Sequence, residues 1–134
     1  MMSYWPCNEE AWELFKRERP DLWEEPVRLS DIQQEFTAAI GELIHFAYQN
    51  GYGLTFGTAY RDPKMNAAVG GHKRSLHLSR LAVDFNVFKD GEYLQGEAAE
   101  KAHNELHDFW DTIGGAGRIP RDLNHYSFAY GGMR

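Results

Sequence analysis

A chain of 134 residues, 43% hydrophobic and 14% aromatic, is sized for one domain with a sizeable core. Its net charge of −6 argues against a nucleic-acid binder and against simple adhesion to anionic lipid. Cys7 is the only cysteine, which excludes an intrachain disulfide and a cysteine-based zinc site.

Residues 1–29 form a lead-in. Met1 to Glu10 lacks the basic region and apolar core of a secretory signal, and no run approaches the roughly 18 apolar residues of a membrane helix. The expectation is a protein made soluble in the cytoplasm, which reaches anything outside only after release. Asn8 is placed to cap a short helix through about Arg19, with Trp12 and Phe15 on its apolar side. Pro20 and Pro26 bracket an irregular link.

Ser30-Asp31-Ile32-Gln33 reads as a capping box that opens the strongest helix. Ile32, Phe36, Ile40, Leu43, Ala47 and Tyr48 recur with helical period, and Asn50-Gly51 is a stop signal. His45 falls inside this helix, as packing or surface rather than ligand. Tyr52, Leu54 and Phe56 then alternate as a strand running toward Tyr60-Arg61. Asp62 to Arg74, rich in Pro, Gly, Asn and Lys, reads as a long loop.

The clearest strand alternates Leu81, Val83, Phe85 and Val87 with Ala82, Asp84 and Asn86. Asp90-Gly91 is a hairpin pair, with Tyr93-Leu94 as the return strand. A helix from about Glu97 to Thr112 follows, its stripe made of Ala98, Ala102, Leu106, Phe109 and Ile113. Gly114 to Gly117 breaks it, and His125 to Phe128 has the composition of a closing strand. The sum is an α+β fold: a small antiparallel sheet with flanking helices, in one domain over residues 1–134.

Two short pieces carry chemistry. His77 and Asp84 precede and enter the clearest strand, and Asp122-Leu123-Asn124-His125 precedes the last one. Two imidazoles and a carboxylate form a three-ligand zinc set with a fourth position for water. Asp122 is the candidate proton carrier, with a plain turn residue as its bland alternative. Side chains alternate along a strand, so His77 and Asp84, an odd number of residues apart, need a turn between them, placed at Leu78-Ser79-Arg80. Asp84 then shares a face with Ala82 and Asn86. By the same parity Leu123-Asn124 is irregular and the strand starts at His125.

His103 and His107, at i and i+4, also have zinc-binding spacing. Glu105 stands centrally between them, where neither zincin pattern places it, and the flanking composition reads as a solvated helical face. His72 is a loop residue placed to line the cleft.

Taken together, these residues resemble the M15 zinc peptidases, which include D-Ala-D-Ala carboxypeptidases and phage L-alanyl-D-glutamate endopeptidases. Ser75, His77, Ala82, Asp84, Asp122 and His125 fit the pattern Ser-x-His-x-x-Gly-x-Ala-x-Asp followed by Glu/Asp-x-x-His, and Arg61 stands in a Tyr-Arg-Asp context. Arg80 departs from it, standing where the pattern has Gly. The resemblance implies a hedgehog/DD-peptidase kind of fold. It also implies one zinc per chain on His77, Asp84 and His125, with Asp122 as acid/base. Arg61 then holds an oxyanion or a substrate carboxylate. Ser75 bonds the substrate, or else only its own loop. The expected substrate is the peptidoglycan stem peptide, cut by a monomer at L-Ala-D-Glu. D-Ala-D-Ala cleavage, or a noncatalytic zinc-stabilised wall-binding or virion module, are the alternatives.

Overall fold

The computed structural model describes residues 9–19 and 28–134. Asn8, the side chains of Trp12 and Phe15, and the Pro20 to Pro26 link lie outside the described residues. Helix α1 spans Glu9–Glu18, with Glu9 and Glu10 in its first turn, where the helix dipole favours negative charge.

Helix α2 spans Leu29–Gln49. The expected capping box does not form. Arg28 is the N-cap and offers no side-chain cap, so Ser30 already lies inside the helix. The Gln33 amide instead donates to the Ser79 carbonyl at 2.8 Å and ties α2 to the turn that carries Ser79. Phe36, Ile40, Leu43 and Ala47 are buried as the period predicts, but Tyr48 is exposed. Asn50 is the C-cap, and Gly51 takes the positive φ of 84° that ends the helix.

Strands β1 (Tyr52–Phe56), β2 (Ala82–Lys89), β3 (Glu92–Tyr93) and β4 (His125–Ser127) make an antiparallel sheet centred on β2. β1 runs along one edge, from Tyr52 opposite Lys89 to Phe56 opposite Phe85. β4 and β3 share the other edge. β4 covers Ala82 to Asp84, and β3 covers Phe88 and Lys89. Asp90 and Gly91, both at positive φ, make the tight turn between β2 and β3. Leu81, Val83, Phe85 and Val87 are buried toward the core, which α2 and helix α4 (Gly96–Thr112) complete.

Two elements differ from the expectation. The stretch after Asp62 is not wholly a loop, because Pro63–Ala68 forms a short helix, α3. Asp62 accepts from the Met65 N–H at 2.7 Å and Pro63 sits in the first turn, so side-chain cap and preset φ act together. The buried stripe of α4 is also rotated from the expected one. It consists of Ala102, His103, Leu106, His107 and Trp110, while Ala98 is exposed. His103 and His107 therefore face the core rather than solvent. Apolar counting missed them because each imidazole is buried on a specific polar partner.

Candidate metal centre

β2 fixes the first ligand. Its alternation sets Asp84 on the face opposite the core-directed Val83 and Phe85. The Asp84 N–H donates to Thr58 O, and its C=O accepts from Gly57 N–H, each at 2.7 Å. A Cβ at Gly57 would crowd Asp84, lying 3.2 Å from its carbonyl oxygen and 3.3 Å from its Cβ. β4 supplies the second ligand. His125 is paired directly across from Asp84, so both side chains leave the sheet on one face.

The third comes from the turn before β2, which bends where parity requires it. Leu81 N–H donates to Leu76 O at 3.0 Å around Arg80, whose φ is 58°. That is the 6→1 closure of a Schellman motif, with buried Leu76 and Leu81 as its apolar contact. Arginine in this left-handed position costs about 1–2 kcal/mol that glycine would not. The turn delivers His77 beneath the sheet face at 3% exposure.

His77 Nε2 and His125 Nδ1 each lie 3.3 Å from Asp84 Oδ1. The three ligand atoms all fall within 4.8 Å of one another. His77 Nδ1 lies 2.8 Å from the Ala59 carbonyl, which can only accept, so that nitrogen carries the proton. In a neutral ring Nε2 then presents its lone pair toward a carboxylate oxygen. Oδ1 is buried and receives no hydrogen bond of acceptable geometry. Burial pushes the Asp84 carboxyl up, but the His125 and His77 imidazoles, when protonated, outweigh it by hydrogen bonding and positive charge and hold the group at about 2. A buried carboxylate oxygen facing two imidazole nitrogens at this distance calls for a positive charge between them, a proton or a metal cation. The N, N, O donor set suits zinc among the divalent metals, and the Ala59 carbonyl is the outer partner that orients such a ligand.

The family comparison now has a geometry to meet. A model described as Peptidase M15 matches residues 23–109. The chain belongs to the M15 peptidase family. No curated protein matches. The matched region holds Arg61, Ser75, His77 and Asp84, but ends before Asp122 and His125. It is the pairing of β4 with β2 that joins His125 to the candidate ligands within the match. Membership makes the chain a metallopeptidase by family, and His77, Asp84 and His125 form a group that could hold a metal ion.

The remaining expected residues take up distinct places. Asp122 is exposed, in a turn closed by Ile119 and His125 bonds to its backbone. Ser75 Oγ accepts from His77 N–H at 3.3 Å, bonding its own loop beside the ligand. Arg61 is half-buried, and its N–H donates to His77 O at 3.1 Å. Its guanidinium donates to Asn66 Oδ1 at 2.9 Å and has no carboxylate partner among the described residues. His72 is exposed on its loop, and its Nδ1 accepts from the Arg74 N–H. His45 is exposed on α2.

His103 and His107 do not join the metal group. His103 Nδ1 lies 2.7 Å from Tyr126 Oη, and His107 Nε2 donates to Leu123 O at 2.8 Å while its ring stacks on Tyr126. Both hold the segment that carries Asp122 and His125. A groove of about 490 Å³ beside them, lined in part by Phe85, Glu100 and His103, includes none of the three ligands.

Asn66 was not visible as a site residue from sequence. At 4% exposure it bridges Arg61 to the His72 carbonyl. Gly71 leaves it room, since a Cβ there would fall 2.1 Å from Asn66 Oδ1. The readable signal was Asp62-Pro63, which starts the helix that presents Asn66.

Proposed function

We propose that this protein is a zinc-dependent peptidoglycan peptidase of phage type that hydrolyses the L-Ala-D-Glu amide of the stem peptide. One observation carries the reading: in a chain of a peptidase family, a buried, ionised Asp84 oxygen without a hydrogen bond faces His77 Nε2 and His125 Nδ1. His77, Asp84 and His125 would hold the ion. When bound, zinc supplies Lewis acidity, polarising the scissile carbonyl and acidifying water.

The chain's own residues do the rest. Asp122, exposed one turn before His125, accepts the proton of the attacking water on a carboxylate oxygen. The water oxygen bonds to the carbonyl carbon, the C–N bond breaks, and Asp122 returns a proton to the leaving amine. Arg61, held by Asn66 rather than neutralised by a carboxylate, is set to orient a substrate carboxylate or the developing oxyanion. Ser75, engaged with His77, offers its hydroxyl proton to the substrate. The protein reaches the wall after release from the cytoplasm.

The deciding experiment is digestion of isolated peptidoglycan by purified protein, with mass analysis of the fragments. A new free amine on D-Glu supports the proposal. Released D-Ala moves the cut to D-Ala-D-Ala. Intact wall with bound protein makes it a zinc-stabilised binding module.

A further inference from the structure

Arg80 occupies a strained position between two ligands and gains little from the protein in return. Its φ of 58° belongs to the region glycine favours. Its guanidinium carbon lies 4.0 Å from the centre of the Tyr60 ring, and both residues are exposed. Among the described residues that guanidinium makes no ion pair and no hydrogen bond, so its donor fork stays open. An exposed cation–π contact is a small return for a strained backbone. Strain that persists beside a candidate active site points to a functional demand.

Tyr60 is itself anchored to the site. Ala59 before it takes the His77 Nδ1 proton, and Arg61 after it donates to the His77 carbonyl. The aromatic ring that holds the Arg80 fork thus hangs from backbone bonded on both sides to a ligand residue. Arg61, half-buried and tied to Asn66, is an inner guanidinium on this same segment, and Arg80 is an outer one with all its donors available. Two guanidiniums around one ligand residue suit a substrate with more than one carboxylate, since the planar fork matches carboxylate geometry.

We propose that Arg80 is a specificity-determining residue that pairs with a carboxylate of the peptide substrate, so that the protein prefers acidic peptides over their carboxamides. This rests on the peptidase reading above. The test uses a synthetic stem peptide whose Ala-Glu amide is reduced to CH2–NH, so that it binds without being cut there, as the free acid and as the carboxamide. Calorimetry on zinc-loaded wild type, Arg80→Gly and Arg80→Asn measures each affinity, since Gly and Asn both tolerate positive φ. Wild type should prefer the acid by about tenfold, the scale of one charge-assisted bidentate pair. Both variants should lose that preference, and Arg80→Gly should melt no lower than wild type.

An unchanged preference in the variants overturns the proposal, as does an equal loss of affinity for both peptides, which would make Arg80 structural. Wild type that binds neither peptide overturns it too. Should Arg80→Gly fail to fold, Arg80→Asn decides. Wild type that shows the Arg80-dependent preference yet leaves peptidoglycan uncut sinks the proposed activity and leaves this inference standing.

Discussion

His125 sits directly opposite Asp84 in the β2–β4 ladder, which brings an imidazole and a carboxylate 41 positions apart in sequence to 3.3 Å without any loop having to fold over them. A sheet register is strongly specified when one face is buried, because a slip by one residue inverts every side chain. Val83 and Tyr126, buried and paired as the next step of the ladder, hold this register. The core thereby sets the geometry of the metal group on the other face.

From that geometry follows a stoichiometry. Elemental analysis of protein purified without added metal should give about one zinc per chain. His77→Ala combined with His125→Ala should abolish it, while His103→Gln combined with His107→Gln should leave it in place. Zinc that survives the first pair and vanishes with the second would move the site into α4. Chelation should also lower the melting temperature of wild type, since a metal held by the folded state alone stabilises that state.

Arg61 and Asn66 separate charge from geometry. Arg61→Lys keeps the positive charge and loses the fork. Peptidoglycan turnover should fall clearly, with zinc content and melting temperature near wild type. Asn66→Ala should do more, because it strips a buried acceptor from Arg61 and a donor from the His72 carbonyl. Water can reach both partners, so each lost bond costs about 0.5–1.5 kcal/mol, which urea denaturation should show. Equal turnover in Arg61→Lys and wild type would leave Arg61 only its structural bond to Asn66.

What the sequence revealed and what it hid divide along physical lines. Period-2 alternation gave β2 and the face of Asp84, and parity required a bend between His77 and Asp84, which the structure places at the expected Leu78 to Arg80. These are local rules with few competitors. The capping box failed because Gln33 found a tertiary partner, the Ser79 carbonyl, that no local rule anticipates. The α4 histidines were misread as a solvated face because burying an imidazole depends on Leu123 and Tyr126, 16 and 23 residues away. Asn66 was invisible for the same reason: its importance lies in Arg61 and His72, which only the folded α3 brings together.

Asp122 separates an enzyme from a binding module. Its carboxylate is exposed and its backbone merely turns the chain into His125. Asp122→Asn is close in size and keeps hydrogen bonding, but it accepts no proton. Loss of general-base assistance typically costs on the order of 10²–10⁴ in rate. Peptidoglycan hydrolysis should nearly vanish, while zinc content and co-sedimentation with wall sacculi persist. Equal hydrolysis by Asp122→Asn and wild type would reduce Asp122 to a turn residue. Loss of zinc would mean it is a ligand.

Acid should destabilise the protein through α4 before it reaches Asp84. Burial, with the nearby charge of His107 second, pushes His103 from 6.5 down to about 4. Burial likewise lowers His107. A histidine with a depressed folded pKa binds its proton more readily in the unfolded chain, so unfolding takes up protons between the two values. Its contribution is intact above 6.5, shrinks as pH falls, and is gone at about 4. The shift of His103 corresponds to about 3 kcal/mol at most, taking about 1.4 kcal/mol per unit. Asp84 acts in a separate window. Held at about 2 against an ordinary 3.8, its contribution is present above 3.8 and is lost as pH falls through 2. Urea denaturation of the chelated protein from pH 7.5 to 4.5 therefore reads the histidines. Stability should hold down to about pH 6.5 and fall below it in wild type, and fall much less in His103→Gln, which never charges and still offers Tyr126 a hydrogen-bond partner. An identical slope in the two proteins would show that His103 titrates normally and that the acid sensitivity lies elsewhere.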